Sequence, residues 1–189
     1  MKVTLIRHTS VAVPKGTCYG WSDVDVADTF EEEAIGTLRL IEGCLFDHAF
    51  TSPLLRARKL AARCGYPDAT PDDRLKEMNM GEWEMQPWDD IHDEALQRWF
   101  DDYMHLPATG GESFPMLYAR VASFLDDLRH QLFDHVAVFA HGGVIVAAGI
   151  YAGLWDEKDA FAHQPPYGGV VELFFRSSES GLPPEAKRE

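Results

Sequence analysis

Two histidines in this chain each follow a run of strand-forming residues. The run "VTLI" is followed by Arg7 and His8, and "VAVFA" is followed by His141. Both runs are almost wholly apolar, which is typical of strands buried on both faces of a parallel sheet. Ligands of open α/β sheets bind at the carboxyl ends of the strands. The sequence therefore predicts that His8 and His141 belong to one site at that edge.

Arginines near these histidines could supply positive charge to the same site. Successive side chains of a strand point to opposite faces, so Arg7 can join His8 only if the strand breaks there. Arg56 and Arg58 lie two positions apart on a predicted helix, so only one of them can face a given site. Arg56, nearer the helix start, is the candidate, and Arg58 is expected on the solvated face.

Gly142 and Gly143 follow His141 at a predicted strand-to-helix junction. Glycines at such a junction let backbone N–H groups approach an anion, and the helix N-terminus adds partial positive charge. A plain tight turn explains the same pair equally well.

Strands alternate with helices along the chain, which predicts a mainly parallel sheet with helices on both sides. A capping box of Thr29 and Glu32 is expected to start one helix, and Ser52 with Pro53 the next, which Gly65 ends. We also expect a short strand near 74–77, a helix over about 88–106 whose aromatic stripe packs in the core, a helix over 114–128 and a last strand near 168–175.

The composition limits the possible partners. The formal net charge of −14 argues against nucleic acid or an anionic membrane as the main partner. It also means that a phosphorylated substrate would have to be captured by a local group of cations. We expect no signal peptide or membrane span, and three cysteines without CxxC pairing favour a reducing cytoplasm over disulfides or a zinc site.

Four motifs, "LIRHTS", "TSPLLRARKLA", "RLKEMNMGEWE" and "FAHGGVI", resemble in their order and spacing the histidine phosphatase (phosphoglycerate mutase-like) superfamily. The resemblance implies a three-layer α/β/α sandwich, a small phosphate ester as substrate, and no metal or other cofactor. It implies that His8 attacks phosphorus as a neutral imidazole. It further implies that Arg7, Arg56 and His141 hold the phosphoryl oxygens, with Gly142 beside them.

Three glutamates, Glu77, Glu82 and Glu84, could serve as the general acid, and their chemistry alone does not choose among them. The resemblance selects Glu77, in "RLKE", and leaves Glu82 and Glu84 as exposed loop charges. Such an acid must hold a proton near neutrality. Met85 stands where the superfamily usually has glycine, which puts the local turn in doubt.

The loops "GTCYGWSDVDV" and "PPYGGVVEL" are similar to the α-ribazole phosphatase subgroup, which implies hydrolysis of α-ribazole 5′-phosphate in cobalamin synthesis. Tyr19, Gly20 and Trp21 are then candidates to contact the substrate, and loop packing is the alternative for the aromatic pair. A broad phosphomonoesterase, a phosphoglycerate mutase and an inactive phospholigand-binding module remain alternatives.

The expected organisation is one domain over 1–176 with a flexible tail over 177–189. The sequence leaves open the oligomeric state, a dimer included. It also leaves open whether "TGGES" is the hinge of a lid over 86–112 or an ordinary helix start capped by Ser113.

Overall fold

A five-stranded sheet forms the centre of the protein. The computed structural model describes residues 1–175, so the expected tail lies outside the described residues. The strand order is β3-β2-β4-β1-β5, in which β5 pairs antiparallel with β1 and the other pairs are parallel. The predicted α/β fold with a mainly parallel sheet is confirmed. The strands are β1 (Lys2–Arg7), β2 (His48–Thr51), β3 (Thr70–Pro71), β4 (His135–Ala140) and β5 (Val170–Phe174).

Helices cover both faces of this sheet. Val136 and Val138 of β4 pack in one apolar cluster with α4 and α5, whereas Ala137 and Phe139 pack in another with α1 and α2. This alternation follows from the two-residue period of a strand, and it gives three layers. No helix in the described part of the chain is long and apolar enough to span a bilayer. The helices are α1 (Phe30–Leu40), α2 (Leu55–Arg63), α3 (Glu94–Asp101), α4 (Phe114–Arg129) and α5 (Gly142–Tyr151).

The register of the two central strands fixes the position of the site. β1 and β4 pair in parallel with Arg7 opposite Ala140, and the backbone N–H of His8 then donates to the carbonyl of Ala140 at 3.0 Å. Both strands end at this level, so His8 and His141 leave the sheet side by side, as predicted.

Two predicted elements are wrong. A 3₁₀ turn over Asp73–Leu75 replaces the expected strand near 74–77, because the Asp72 carboxylate caps the turn by accepting from the N–H of Arg74. The expected helix over 88–106 is a 3₁₀ turn, Trp88–Asp90, followed by the shorter α3. Asp93 separates them, because its carboxylate accepts from the N–H of Ala95 as an N-cap.

The aromatic residues of that region do pack together. Trp88 stacks on Trp99 with ring centroids 5.7 Å apart, and Trp83 packs against both rings. Trp88 and Trp99 are partly buried in this small apolar cluster beside the main core, whereas Tyr103, the third aromatic residue of the predicted stripe, is 39 % exposed, so the predicted core stripe is confirmed only in part.

The predicted helix starts are displaced by short distances. Thr29 does precede α1, but its hydroxyl donates to Glu33 rather than meeting Glu32. Ser52 does not cap α2, because the helix begins only at Leu55 with Leu54 as its N-cap, and the Ser52 hydroxyl meets the N–H of Leu54 and the ring of His141 instead. Gly65 ends α2 with a φ of +95°, as predicted.

Met85 keeps the turn that the sequence put in doubt. Its φ is +63°, in the left-handed region, and its N–H donates to the carbonyl of Cys18 at 2.8 Å. A side chain in this conformation costs about 1–2 kcal/mol, and glycine avoids most of that cost.

We expect Met85→Gly to raise the free energy of unfolding by about 1 kcal/mol, because relief of the backbone strain exceeds the entropy that glycine loses. Urea denaturation measures the change. Met85→Ala is the matched control, since alanine removes the same half-exposed side chain but keeps the strain. Equal effects of the two substitutions would contradict the assignment of strain to φ.

Candidate active site

His8 and His141 form the centre of the site. Their ring centroids are 5.1 Å apart, and the two residues are 2 % and 0 % exposed. Both imidazoles are therefore enclosed by the fold at the carboxyl ends of β1 and β4.

A backbone carbonyl sets the tautomer of His8. Its Nδ1 lies 2.7 Å from the carbonyl oxygen of Thr9. Because a carbonyl only accepts, Nδ1 must carry the proton, and Nε2 carries the lone pair. The nitrogen on the far side of the ring is therefore available as a nucleophile.

The surroundings of His8 keep it neutral. Burial lowers its pKa from the ordinary 6.5 to about 3, with the positive charges of Arg56 and then Arg7 adding to the effect against the Thr9 hydrogen bond. Burial, Arg56 and His8 likewise hold the pKa of His141 well below its ordinary value. Both imidazoles are uncharged at neutral pH, the state that nucleophilic attack requires.

Arg56 reaches the site from the first turn of α2, as predicted. It is fully buried, and its guanidinium donates to the carbonyls of Gly20 at 2.6 Å and Ser22 at 3.0 Å. Its guanidinium carbon lies 5.2 Å from the ring centre of Tyr19. Arg58 is exposed, in agreement with the helical spacing.

Arg7 approaches the same site from the end of β1. Its guanidinium donates to the carbonyl of Pro165 at 2.6 Å and lies 4.4 Å from the ring centre of Tyr167. The Tyr167 ring is also 5.5 Å from the ring of His8. The strand end thus lets Arg7 and His8 meet around one tyrosine. Within residues 1–175, neither Arg7 nor Arg56 forms an ion pair with a carboxylate.

We call Arg7, His8, Arg56 and His141 the basic cluster. In the described part of the chain, five buried side-chain polar atoms have no hydrogen-bond partner, and three of them are in this cluster: Nε of Arg7, Nε of Arg56 and Nδ1 of His141. Buried polar atoms are normally paired, so unpaired atoms concentrated in one place indicate a ligand. Two of the three belong to permanent cations, so the fitting ligand is an anion.

Ser52 can place the proton of His141 where an anion needs it. The Ser52 hydroxyl accepts from the N–H of Leu54 at 3.3 Å and lies 2.7 Å from Nε2 of His141. If the hydroxyl donates to Nε2, the neutral imidazole carries its proton on Nδ1, the unpaired atom. His141 then donates to the anion without being charged.

Glu77 lies at the start of α5, beside His141. Its carboxylate accepts from the N–H of Met78 at 2.9 Å and of Gly143 at 3.1 Å. A Cβ at Gly143 would come within 2.4 Å of this carboxylate, so only glycine permits the approach. The Gly143 N–H that the sequence predicts to face a ligand anion is therefore taken by the Glu77 side chain.

Gly142 is needed for a different reason. A Cβ there would lie 1.8 Å from the side-chain nitrogen of Gln164. This contact explains the glycine by packing, and a role for Gly142 in holding substrate stays a prediction.

The other two glutamates differ from each other. Glu82 is exposed, as predicted, but Glu84 is half-buried, and its expected place as an exposed loop charge is wrong. Its carboxylate accepts from the N–H groups of Trp21 and Ser22 and from the Ser22 hydroxyl. Glu84 thereby fixes the loop whose carbonyls hold Arg56.

Aromatic side chains surround the basic cluster. The Tyr19 and Tyr167 hydroxyls are 2.9 Å apart, and the Trp21 indole N–H donates to the carbonyl of Glu77 at 2.6 Å. We call Tyr19, Trp21 and Tyr167 the aromatic collar. The sequence predicts a role for Tyr19 and Trp21 but not for Tyr167, although Tyr167 lies in the loop "PPYGGVVEL" that is similar to the subgroup.

The loop "TGGES" packs closely against the backbone near residues 79–81, and its role as a hinge stays a prediction. A Cβ on Gly111 would lie 2.3 Å from the carbonyl of Asn79, and one on Gly81 would lie 2.2 Å from the carbonyl of Thr109. Ser113 precedes α4 without a side-chain capping bond. Glu112 of this loop and Arg120 of α4 hold the backbone near Glu77, and sequence reasoning missed both of them.

Comparison with known proteins identifies the family. The family model described as histidine phosphatase superfamily (branch 1) matches residues 3–182. The chain therefore belongs to the histidine phosphatase superfamily, whose members include phosphatases and mutases. Within residues 1–175, no group of three or more histidine, cysteine or acidic side chains is placed to hold a metal ion.

Individual relatives carry different names. A candidate phosphoserine phosphatase of Hydrogenobacter thermophilus is 29 % identical, over 96 % of this chain and 93 % of its own. The adenosylcobalamin/α-ribazole phosphatase of Escherichia coli is 29 % identical, over 77 % and 75 %. 2,3-Bisphosphoglycerate-dependent phosphoglycerate mutases are also similar, one from Methylobacterium at 32 % over 68 % of each chain. The crystal structure of the α-ribazole phosphatase from Shigella flexneri shares the fold, with a TM-score of 0.83 over 93 % and 91 % at 24 % identity.

The low pKa of His8 predicts a pH dependence of stability. Below pH 6.5 the unfolded chain protonates His8, whereas the folded chain does not until about pH 3, so the free energy of unfolding falls as the pH falls. In His8→Gln this contribution is absent. Its loss of stability between pH 7 and pH 5 should be about 2 kcal/mol smaller than that of the wild type.

Urea titrations at both pH values, in buffers without phosphate, measure the difference. His92→Gln, which changes an exposed imidazole, is the control and should follow the wild type. A wild-type slope in His8→Gln would show that His8 is not held neutral by the fold.

Proposed function

We propose that this protein is a metal-independent phosphomonoesterase that forms a phosphohistidine on His8. The observation that carries the proposal is the basic cluster: a neutral imidazole with a free Nε2 lies beside two guanidiniums, the buried Arg56 and the half-buried Arg7, and neither forms an ion pair with a carboxylate of residues 1–175. Phosphate esters are anions that arginine binds through two oxygens at once, and their phosphorus can be attacked by an imidazole nitrogen.

In the first step, Nε2 of His8 attacks phosphorus while the bond from phosphorus to the ester oxygen breaks. Arg7, Arg56 and Nδ1 of His141 hold the other phosphoryl oxygens and stabilise the charge that they carry. Glu77 gives a proton to the departing alcohol. In the second step, Glu77 takes a proton from water and the water oxygen bonds to phosphorus. The bond from phosphorus to Nε2 of His8 breaks, which releases inorganic phosphate and restores His8.

Rapid quenching with an ester labelled in its phosphoryl group tests this mechanism. We expect label on the protein that is stable in base and labile in acid, because a phosphorus–nitrogen bond hydrolyses when the nitrogen is protonated. The label should be absent from His8→Asn and present in His92→Asn. Binding of phosphate without label or turnover on any ester would instead indicate the inactive phospholigand-binding module.

For the substrate, we propose α-ribazole 5′-phosphate, whose leaving alcohol carries a flat aromatic base. The aromatic collar supports this choice, because Tyr19 and Tyr167 lie beside the ring of His8 and the Trp21 indole N–H donates to the carbonyl of Glu77. Phosphoglycerate and phosphoserine instead carry a carboxylate that calls for a further cation. Lys76, over the Trp21 ring, is paired with Asp73. The similarity to the Escherichia coli phosphatase adds support.

A substrate panel separates the candidates. With α-ribazole 5′-phosphate, kcat/KM should exceed that of 3-phosphoglycerate, phosphoserine and p-nitrophenyl phosphate by at least about tenfold, since one aromatic stack contributes about 1 kcal/mol or more. Trp21→Leu should lower kcat/KM for α-ribazole 5′-phosphate more than that for phosphoserine, because both esters lose the indole hydrogen bond to the carbonyl of Glu77 but only the first loses a stacking ring. Equal rates for all four esters would favour a broad phosphomonoesterase. Phosphoryl return to phosphoglycerate would favour a mutase.

The setting of this activity is also a proposal. Cys18, Cys44 and Cys64 are free thiols, which supports a reducing cytoplasm. The negative net charge supports a small-molecule partner over nucleic acid or an anionic membrane.

A further inference from the structure

A buried ion pair lies behind the segment that carries Glu77. The guanidinium of Arg120, on α4, donates to both carboxylate oxygens of Glu112 at 2.9 Å. The two side chains are only 16 % and 11 % exposed. This geometry uses the planar fork of arginine fully, and it orients the remaining donors of Arg120.

The remaining donors of Arg120 bind backbone carbonyls of the segment that ends at Glu77. Arg120 donates to the carbonyls of Arg74 at 2.7 Å, Lys76 at 2.6 Å and Glu77 itself at 2.8 Å. Glu112 continues the contact, because its carboxylate accepts from the N–H of Asn79 at 2.9 Å.

Among the other contacts of the segment are single hydrogen bonds: the Trp21 indole N–H donates to the carbonyl of Glu77, and the N–H of Met80 donates to the Glu84 carboxylate. Residues 76–80 form no helix or strand, so no regular ladder of backbone hydrogen bonds fixes them. A general acid has to lie within about 3 Å of the leaving oxygen, and small displacements reduce its effect strongly. The position of the Glu77 carboxylate therefore depends on side chains that hold the backbone from behind.

We propose that Glu112 and Arg120 are positioning residues for Glu77, and that they act on proton donation to the leaving group rather than on the basic cluster. The inference rests on the proposed function. It separates the site into two parts with different supports: the basic cluster at the ends of β1 and β4 and the start of α2, and the acid on a segment held by α4.

The dependence of the rate on the leaving group tests this separation. An alkyl alcohol leaves poorly without a proton, whereas p-nitrophenolate leaves without help. The ratio kcat/KM reports the transfer to His8 and excludes the later hydrolysis. In Arg120→Lys we expect kcat/KM for α-ribazole 5′-phosphate or glycerol 3-phosphate to fall about 100-fold, and that for p-nitrophenyl phosphate to change less than about threefold.

Removing one charge of a buried pair can unfold a protein, so a second variant is needed. The double variant Glu112→Gln/Arg120→Met removes both charges together and should show the same selective loss. Arg129→Met, on an exposed position of the same helix, is the matched control and should change neither rate. In a Glu77→Gln background, Arg120→Lys should not change the ratio of the two rates any further.

Equal losses on alkyl and aryl esters would overturn the proposal, as would no loss on either, or failure of both variants to fold. An additional change of the ratio in the Glu77→Gln background would also overturn it, since the pair would then act on another group. A wild-type protein that hydrolyses no ester would contradict the proposed function itself, before any variant is compared.

Discussion

The guanidinium of Arg56 is buried and that of Arg7 is half-buried, neither forms an ion pair with a carboxylate of the described residues, and the rest of the site is arranged around that constraint. Burying a charge is costly, and the usual solution is a paired carboxylate. Here main-chain carbonyls of Gly20, Ser22 and Pro165 take that place. A carbonyl is a dipole, so it solvates Arg7 and Arg56 without cancelling their charge. An anion about 4 Å from each would gain about 4 kcal/mol per contact at an effective dielectric constant of about 20.

The same two charges add to the effect of burial on the protonation state of the nucleophile. A phosphate-binding site that attracts anions also repels protons, so Arg56 and Arg7 add to burial in lowering the pKa of His8. Capture of substrate and activation of the imidazole are therefore one electrostatic effect. It operates against a net charge of −14. Glu84 is engaged by the Trp21–Ser22 backbone and Glu112 by Arg120, so neither carboxylate forms an ion pair with Arg7 or Arg56.

Much of this arrangement could be predicted from sequence because it follows from regular geometry. Parallel strands share a carboxyl edge, which brings His8 to His141, and helical spacing separates Arg56 from Arg58. The choice of Glu77 came only from family resemblance, since three glutamates lie in one irregular segment. Tyr167 and Arg120 could not be found in this way. Tyr167 contacts a residue 148 positions away, and Arg120 contacts the backbone 43 positions away. Their partners lie in irregular segments, where no helical or strand periodicity predicts which residues meet.

Hydrogen bonds from side chains to the backbone explain both the two wrongly predicted elements and the way in which Glu77 is held in position. Asp93 takes the N–H of Ala95 and splits a predicted helix, as Asp72 takes that of Arg74 and replaces a predicted strand. Arg120 likewise bonds to the backbone, because it donates to carbonyls that take part in no helix or sheet hydrogen bond. Such contacts tolerate change in the side chains of the segment that they hold, since only backbone atoms are recognised. The residues around Glu77 can therefore vary to suit different leaving alcohols while the carboxylate stays at the N-terminus of α5.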